Sequence, residues 1–174
     1  MAWQQKLKDL WNSFEAMSSD EFSRQLESIL ENPAIPESRR AFEVACKFDS
    51  LGRPDLAVDG YRTALDQGLE SYESRRARIQ LASSLRNLGH LEEGLKVLSN
   101  ETDPLGDGLD DAVVLFRALL LTDLGYEREA VATLVHALAS HLPRYVNSAH
   151  RYADLLLETA PRQAKLQHTD EVEK

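Results

Sequence analysis

Apolar residues return every three or four positions along most of this chain, a spacing that places side chains on one face of an α-helix. The first such stretch covers residues 3–17. Ser18 and Glu21 then form a capping-box pattern, which ends this helix and begins another. The Asn32–Pro36 segment contains two prolines, and proline lacks the backbone donor that a helix needs. The pattern therefore predicts two N-terminal helices that end before residue 36.

Beyond residue 36 the same spacing alternates with tight turns. Gly52, Gly89 and Gly125 each stand between two apolar stretches, where a glycine can take the left-handed conformation that ends a helix. The resulting helices are predicted over residues 38–51, 54–67, 71–88, 91–100, 109–124, 127–141 and 144–159. The remaining residues, 161–174, are expected to be a polar tail.

The three glycines are also the start of an internal repeat. They are 37 and 36 residues apart, close to the period of about 34 residues of helix–turn–helix repeats. A small and then a large residue follow each glycine: Ala57 and Tyr61, Gly94 and Leu98, Ala130 and Leu134. Small residues let helices approach closely, and the large ones fill the gap towards the next hairpin. The repeat predicts an all-α stack of hairpins.

The repeat leads to two further predictions, one about the last helix and one about the packing of the second hairpin. The last helix, with Tyr152 and Leu155–Leu157, is expected to cap the C-terminal end of the stack. Gly94 occupies a position where this pattern prefers alanine. We therefore expect the second hairpin to pack less tightly against the third.

Composition limits the classes of function. The chain has 174 residues and a net charge of −9, which disfavours binding to nucleic acid or to an anionic membrane surface. Cys46 is the single cysteine, so there is no intrachain disulfide and a reducing cytoplasm is expected. Neither a secretory signal nor an apolar run of transmembrane length is visible. These features favour one soluble, folded domain.

Particular stretches resemble a bacterial tetratricopeptide repeat (TPR) family of small, uncharacterised proteins. They are Ala41–Arg53 with Ala57–Leu65, then Gln80–Gly94, and finally Tyr152–Leu155. The resemblance implies an all-α, right-handed superhelix of antiparallel helix hairpins, a homodimer, and a non-enzymatic protein–protein interaction module without a cofactor. The predicted division of the chain is an N-terminal extension (1–35) outside the resemblance, a repeat domain (36–160) with repeats at about 38–70, 75–102 and 109–141 and a capping helix (144–160), and the tail.

The same resemblance implies where a protein or peptide would bind. In such domains the first helix of each hairpin lines the concave groove. The matching residues are Arg39, Phe42, Cys46 and Asp49 in the first repeat, Arg76, Ile79, Ser83, Arg86 and Asn87 in the second, and Ala112, Leu115, Leu119 and Thr122 in the third. The Lys, Asn and Arg clamp of chaperone adaptors is absent from the corresponding positions. The groove is therefore expected to be more apolar than theirs.

The second repeat has an unusual charge pattern. Arg75, Arg76, Arg78 and Arg86 occur in a stretch without acidic residues, on a chain that is otherwise acidic. Arginine binds carboxylates and phosphates through two parallel hydrogen bonds, so this face could hold an acidic peptide or a terminal carboxylate. The alternative is that these arginines pair with acidic residues of adjacent helices, namely Glu43, Asp49, Glu70 or Glu73.

The N-terminal aromatic residues also allow more than one interpretation. Trp3, Leu7, Trp11 and Phe14 share the apolar face of the first helix. They could cap the repeat stack, form a dimer contact, or insert into the groove of a partner. A structural homodimer, whose groove is filled by its own N-terminal helices or by the partner subunit, therefore stays open beside the peptide-binding module.

No metal site or catalytic site is predicted. An acidic cluster made of Glu101, Asp103, Asp107, Asp110 and Asp111 lacks the ligand spacing of a calcium loop, and we expect it to solvate a linker and favour the next helix N-terminus. The five histidines show no zinc motif, and Cys46 is expected to be a buried, inert thiol. No nucleophile elbow, phosphate loop or dinucleotide fingerprint occurs.

Overall fold

The computed structural model describes residues 2–101 and 103–158. Within these ranges the chain forms nine α-helices, two short 3-10 helices and no strand, which confirms the predicted all-α fold. The helices are α1 (Ala2–Asn12), α2 (Ser19–Leu30), α3 (Glu37–Ser50), α4 (Pro54–Asp66), α5 (Ser71–Asn87), α6 (Leu91–Leu98), α7 (Asp110–Asp123), α8 (Glu127–Ala139) and α9 (Val146–Glu158). The predicted polar tail lies outside the described residues.

The glycines end the helices as predicted. Gly52, Gly89 and Gly125 have φ angles of +71°, +81° and +82°, each directly after the first helix of a hairpin. A residue with a Cβ rarely adopts this left-handed conformation, whereas glycine adopts it without a steric penalty. The three glycines therefore turn α3 into α4, α5 into α6, and α7 into α8.

The first helix is shorter than its apolar pattern predicts. Helix α1 ends at Asn12 and a 3-10 turn (Phe14–Ala16) follows, with the Ser13 hydroxyl hydrogen shared between the carbonyls of Asp9 and Leu10. The beginning of α2 agrees with the prediction, since the Ser18 hydroxyl accepts the Glu21 N–H at 3.3 Å. The 3-10 turn keeps Phe14 close to Trp11 and Phe22, with its ring edge-on to the Phe22 ring.

At Gly94 itself the helices lie close together, although looser packing is expected for the second hairpin. A Cβ built there would lie 2.9 Å from Leu120 Cδ2 and 3.2 Å from the Ala82 carbonyl oxygen. At distances this short a Cβ would press on the end of the Leu120 side chain and on the Ala82 backbone, so these neighbours would have to shift. The missing Cβ therefore lets α6 lie close to its neighbours at this point, and Leu98 on the same helix is fully buried. Looser packing between the second and third hairpins as a whole stays a prediction.

The hydrophobic core begins with a separate cluster at the N-terminus. Its buried members come from α1, α2 and the turn before α3: Trp3, Leu7, Leu10, Phe22, Leu26, Leu30 and Ile35. Trp11 lies between this cluster and the core of the first hairpin and packs against both. Large side chains therefore attach α1 and α2 to the repeats.

Helix α9 covers the C-terminal end of the stack but buries few large side chains there. Helix α9 packs along α8, yet Ala153 is its one buried residue within the part that the structure describes. Tyr152, Leu155 and Leu157 remain largely exposed, as does Leu134 on α8. The last helix therefore covers α8 with Ala153 and the half-buried Leu156, and it turns Tyr152, Leu155 and Leu157 outwards.

Candidate functional site

The inner-face residues of the first hairpin are covered. Phe42 is 0% exposed and lies in the core of α3 and α4. The guanidinium groups of Arg39 and Arg76 lie 5.7 Å and 5.1 Å from the centre of its ring. Asp49 is engaged as well, because it accepts hydrogen bonds from the Tyr61 and Ser84 hydroxyls. This part of the predicted groove offers little free surface.

The N-terminal helix contributes to that cover. The Trp11 Nε1 donates a hydrogen bond of 2.6 Å to Glu43, which is a buried acid on α3. Arg39 donates to Glu43 at 2.7 Å and to Glu73 at 2.6 Å, and its guanidinium lies 5.9 Å from the Trp3 ring centre. Burial lowers the pKa of Arg39, but Glu43 and Glu73 outweigh burial and raise it. The charge of Arg39 is therefore satisfied inside the molecule.

Arg75 forms the densest charge cluster that the structure describes. Its side chain is buried at the start of α5 and binds Asp107 at 2.5 Å and Asp110 at 2.8 Å, with Glu101 at 3.4 Å. The arginine-rich stretch and the acidic linker, which the sequence presents as two separate features, thus meet in one site. Arg75 pairs with the linker instead of the acids of neighbouring helices named above.

Asp110 links this cluster to the beginning of α7. Its carboxylate accepts the backbone N–H groups of Leu105 and Gly106, both at 3.0 Å. The Leu105 hydrogen bond, together with Arg75 and the Gly106 hydrogen bond, holds the pKa of Asp110 below its usual value. The loop between the second and third hairpins is therefore folded around a buried arginine.

The other cations of the second hairpin differ in how they are neutralised. Arg78 pairs with Glu101 at 3.3 Å, and Arg86 pairs with Asp123 on α7 at 2.6 Å. For Arg76, no acidic side chain among the described residues lies within ion-pair distance. Arg76 is thus the inner-face cation of this helix whose charge stays available, stacked on the Phe42 ring.

The residues of the predicted inner face are more exposed on the third hairpin than on the first two. Ile79 is still buried, but Leu115 at the equivalent position of α7 is 45% exposed. Leu119 and Ser83 are half-buried, and Asn87 is exposed. We call the open set the inner-face patch: Arg76, Ser83, Asn87, Leu115 and Leu119. It is a smaller site than the sequence predicts, with one available cation and two leucines.

Cys46 is a buried thiol, as predicted. Burial, assisted by the negative charge of Glu43, raises its pKa to about 12. The thiol hydrogen-bonds Gln80 Oε1 at 3.6 Å. Since the thiolate is the nucleophilic form, this side chain is inert at neutral pH.

A histidine pair was missed by the sequence analysis. The Nδ1 atoms of His136 on α8 and His150 on α9 lie 2.8 Å apart, and His136 Nε2 lies 3.2 Å from Asp154. The two histidines lie on different helices that are separated by a turn, so no sequence spacing within one helix could have predicted the contact. Across residues 2–101 and 103–158, no group of three or more His, Cys, Asp or Glu side chains is arranged to hold a metal ion.

Comparisons with known proteins give one result. A family model described as "Tetratrico peptide repeat" matches residues 38–156, which leaves α1 and α2 outside. No curated protein and no solved structure matches the chain with significance. None of the described helices combines the length and the apolar character that crossing a membrane requires.

Proposed function

Because the chain belongs to the tetratricopeptide repeat family, whose members typically act as non-catalytic protein-interaction modules, we propose that its inner-face patch binds a segment of another protein. Leu115 and Leu119 would contact an apolar side chain of that segment. Arg76 would bind a carboxylate, from an acidic side chain or from a chain terminus.

One observation carries this proposal. The apolar residue at the same register of α3, α5 and α7 is 0%, 5% and 45% exposed in Phe42, Ile79 and Leu115. Exposed apolar area gains free energy when a partner covers it. The second and third hairpins, and not the first, are therefore the place where a ligand would bind.

The position of α1 bears on the homodimer alternative. Trp3 and Trp11 lie against the first hairpin of their own chain, through Arg39 and Glu43. A groove filled by its own N-terminal helices is thus favoured for the first hairpin alone.

We also propose a cytoplasmic location, because a chain with a single cysteine forms no intrachain disulfide that would require an oxidising compartment.

The binding test uses the full chain and a random peptide library displayed on phage. Peptides selected on the wild type are measured against Leu115→Asp and Arg76→Glu, with Leu105→Asp and Arg24→Glu as matched controls on exposed residues elsewhere. We expect peptides that combine an apolar residue with an acidic one, and a loss of affinity of at least about tenfold in the two patch variants.

The results that support the proposal are distinct from those that overturn it. Circular dichroism must first show that all four variants keep the helical fold. Equal binding of the selected peptides to the wild type and to Leu115→Asp would place the ligand elsewhere and overturn the proposal. A library that yields no binder at all would count against it equally.

A further inference from the structure

Two histidine side chains meet end to end where α9 packs on α8. The Nδ1 atoms of His136 and His150 are 2.8 Å apart, and the ring centres are 5.1 Å apart. The difference between these distances is taken up by the two rings themselves, so each Nδ1 points almost directly at the other. The ring planes are 27° from parallel, and both residues are half-buried. The contact is therefore a direct hydrogen bond between two ring nitrogens.

Only one hydrogen fits between these two nitrogens. At 2.8 Å, one Nδ1 donates its N–H and the other accepts it with a lone pair. A charged histidine has hydrogen on both ring nitrogens and no lone pair left. The hydrogen bond therefore survives while at least one ring is neutral, whereas two charged rings would set two N–H groups against each other.

Asp154 determines which ring accepts the hydrogen bond. Its carboxylate lies 3.2 Å from His136 Nε2. An ionised carboxylate only accepts hydrogen bonds, so His136 carries a hydrogen on Nε2 and, while it is neutral, a lone pair on Nδ1. The donor is then His150 Nδ1–H. A first proton binds His150 Nε2 without breaking either contact, but a second proton can bind only at His136 Nδ1, which is the accepting nitrogen.

The histidine pair has one neighbouring acid. Among the described residues, Asp154 is the only acid within ion-pair distance of either ring. The charged residues of α7, which also packs against α8, have other partners: Asp110 pairs with Arg75, Asp111 with His141, Arg117 with Glu129 and Asp123 with Arg86. The remaining charged side chains of α8 and α9 are Glu127, Arg128, Arg151 and Glu158. Two histidine charges would therefore share one carboxylate.

Helix α9 has few other groups that fix it to α8. Within the described part of the chain, Ala153 is its one buried residue and Leu156 is half-buried. Arg128 of α8 donates a hydrogen bond of 3.3 Å to the Leu156 carbonyl. Elements with few buried apolar contacts open locally at a lower free-energy cost than the whole fold. Loss of the histidine contact can therefore release α9 while α1–α8 stay folded.

We propose that His136 and His150 form a proton-sensitive latch, which holds α9 on α8 at neutral pH and releases α9 when both rings become charged. Release frees His136 Nδ1, so the released state binds one more proton than the docked state. The released state therefore gains population as the pH falls, by at most about tenfold per pH unit. Histidine side chains in general change charge between about pH 5 and 8, which places the response in mild acid. The latch uses no residue of the inner-face patch, so it can fail without affecting the proposed peptide site.

Hydrogen–deuterium exchange of the full chain tests the latch, with rates corrected for the pH dependence of the chemical exchange step. Between about pH 7.5 and 5.5, the protection of residues 146–158 should fall by at least about tenfold. The protection of α3 and α4 should not change over this range. Opening of α9 is thereby distinguished from unfolding of the whole chain.

Glutamine variants show whether the histidine pair causes this response. His136→Gln and His150→Gln each leave one titratable ring, so the protection of α9 should no longer depend on pH in this range. His141→Gln is the matched control, because His141 follows α8 directly and its imidazole contacts an acid of α7, Asp111, at 3.1 Å. The control should keep the response of the wild type.

Nitrogen NMR of the wild type tests the proton arrangement without any substitution. At about pH 7.5, neutral His136 should carry its hydrogen on Nε2, and neutral His150 on Nδ1. The opposite tautomers would overturn the proposal, and so would a protection of α9 that does not change with pH in the wild type. A His150→Gln variant that keeps the full response, a control that loses it, or two charged rings with α9 still protected would overturn it as well.

Discussion

The two ends of the helical array differ in how far their large apolar side chains are buried. At the N-terminal end, α1 and α2 turn Trp3, Leu7 and Phe22 inwards and build a separate core. At the C-terminal end, α9 packs on α8 through Ala153 and leaves Tyr152 exposed. Both ends show the same amphipathic spacing, so periodicity reports that a helix has an apolar face but does not report what covers it.

The largest effect expected from this contrast is on stability. Phe22→Ala should lower the free energy of unfolding by about 4 kcal/mol, because Phe22 is fully buried and its removal leaves a cavity. Tyr152→Ala should cost less than about 1 kcal/mol in the monomer, because this ring is already in water. Urea unfolding at low protein concentration measures both values. Equal losses would show that the two ends are not different.

A second prediction concerns the charge cluster between the two ends. Arg75→Met should lower the free energy of unfolding by about 3 kcal/mol, because it leaves Glu101, Asp107 and Asp110 without their shared cation. Arg53→Met is the control, since Arg53 pairs with Asp55 in solvent, where water and salt screen the pair and its contribution to stability is small. Thermal or urea unfolding that finds Arg75→Met as mild as the control would refute the structural role of this cluster.

A finer contrast separates the first hairpin from the second. A Cβ at Gly60 would lie 2.8 Å from the Ala45 Cβ, so Gly60→Ala forces α3 and α4 apart. The expected net cost is about 1 kcal/mol, after the better helix propensity of alanine is included. Gly94→Ala should cost less, because it first meets the end of the flexible Leu120 side chain. A larger cost for Gly94→Ala, measured by urea unfolding, would reverse this ranking.

The smallest expected effect depends on pH. The pKa of Asp110 is lower in the folded protein than its unfolded value of about 3.9, so its stabilising contribution is complete above that pH. The contribution disappears as the pH falls through the lower, folded pKa. Asp110→Asn should therefore lose stability less steeply than the wild type below about pH 4. Urea midpoints measured across this range would contradict the account if the two proteins followed the same curve.

The sequence predicts the helices well because glycine and proline mark their ends. Helix α3 is predicted at 38–51 and observed at Glu37–Ser50, and the Gly52 turn explains why the error is small. The close approach at Gly94 could not be predicted, since a preference for alanine in the pattern says nothing of how close Leu120 lies.

The candidate site was harder to predict because its charges depend on tertiary contacts. Arg75, Arg76 and Arg86 look alike in the sequence. The structure buries Arg75 against a loop about thirty residues away and pairs Arg86 with Asp123, and it gives Arg76 an aromatic ring instead of an acid. No local pattern distinguishes these three surroundings.

Hydroxyl-radical footprinting of the full chain tests the contrast between the two ends most directly. We expect Trp3 and Phe22 to resist oxidation. Tyr152 and Leu138 should oxidise readily, as should the exposed Leu105. Oxidation of Trp3 at the rate of Tyr152 would contradict the account.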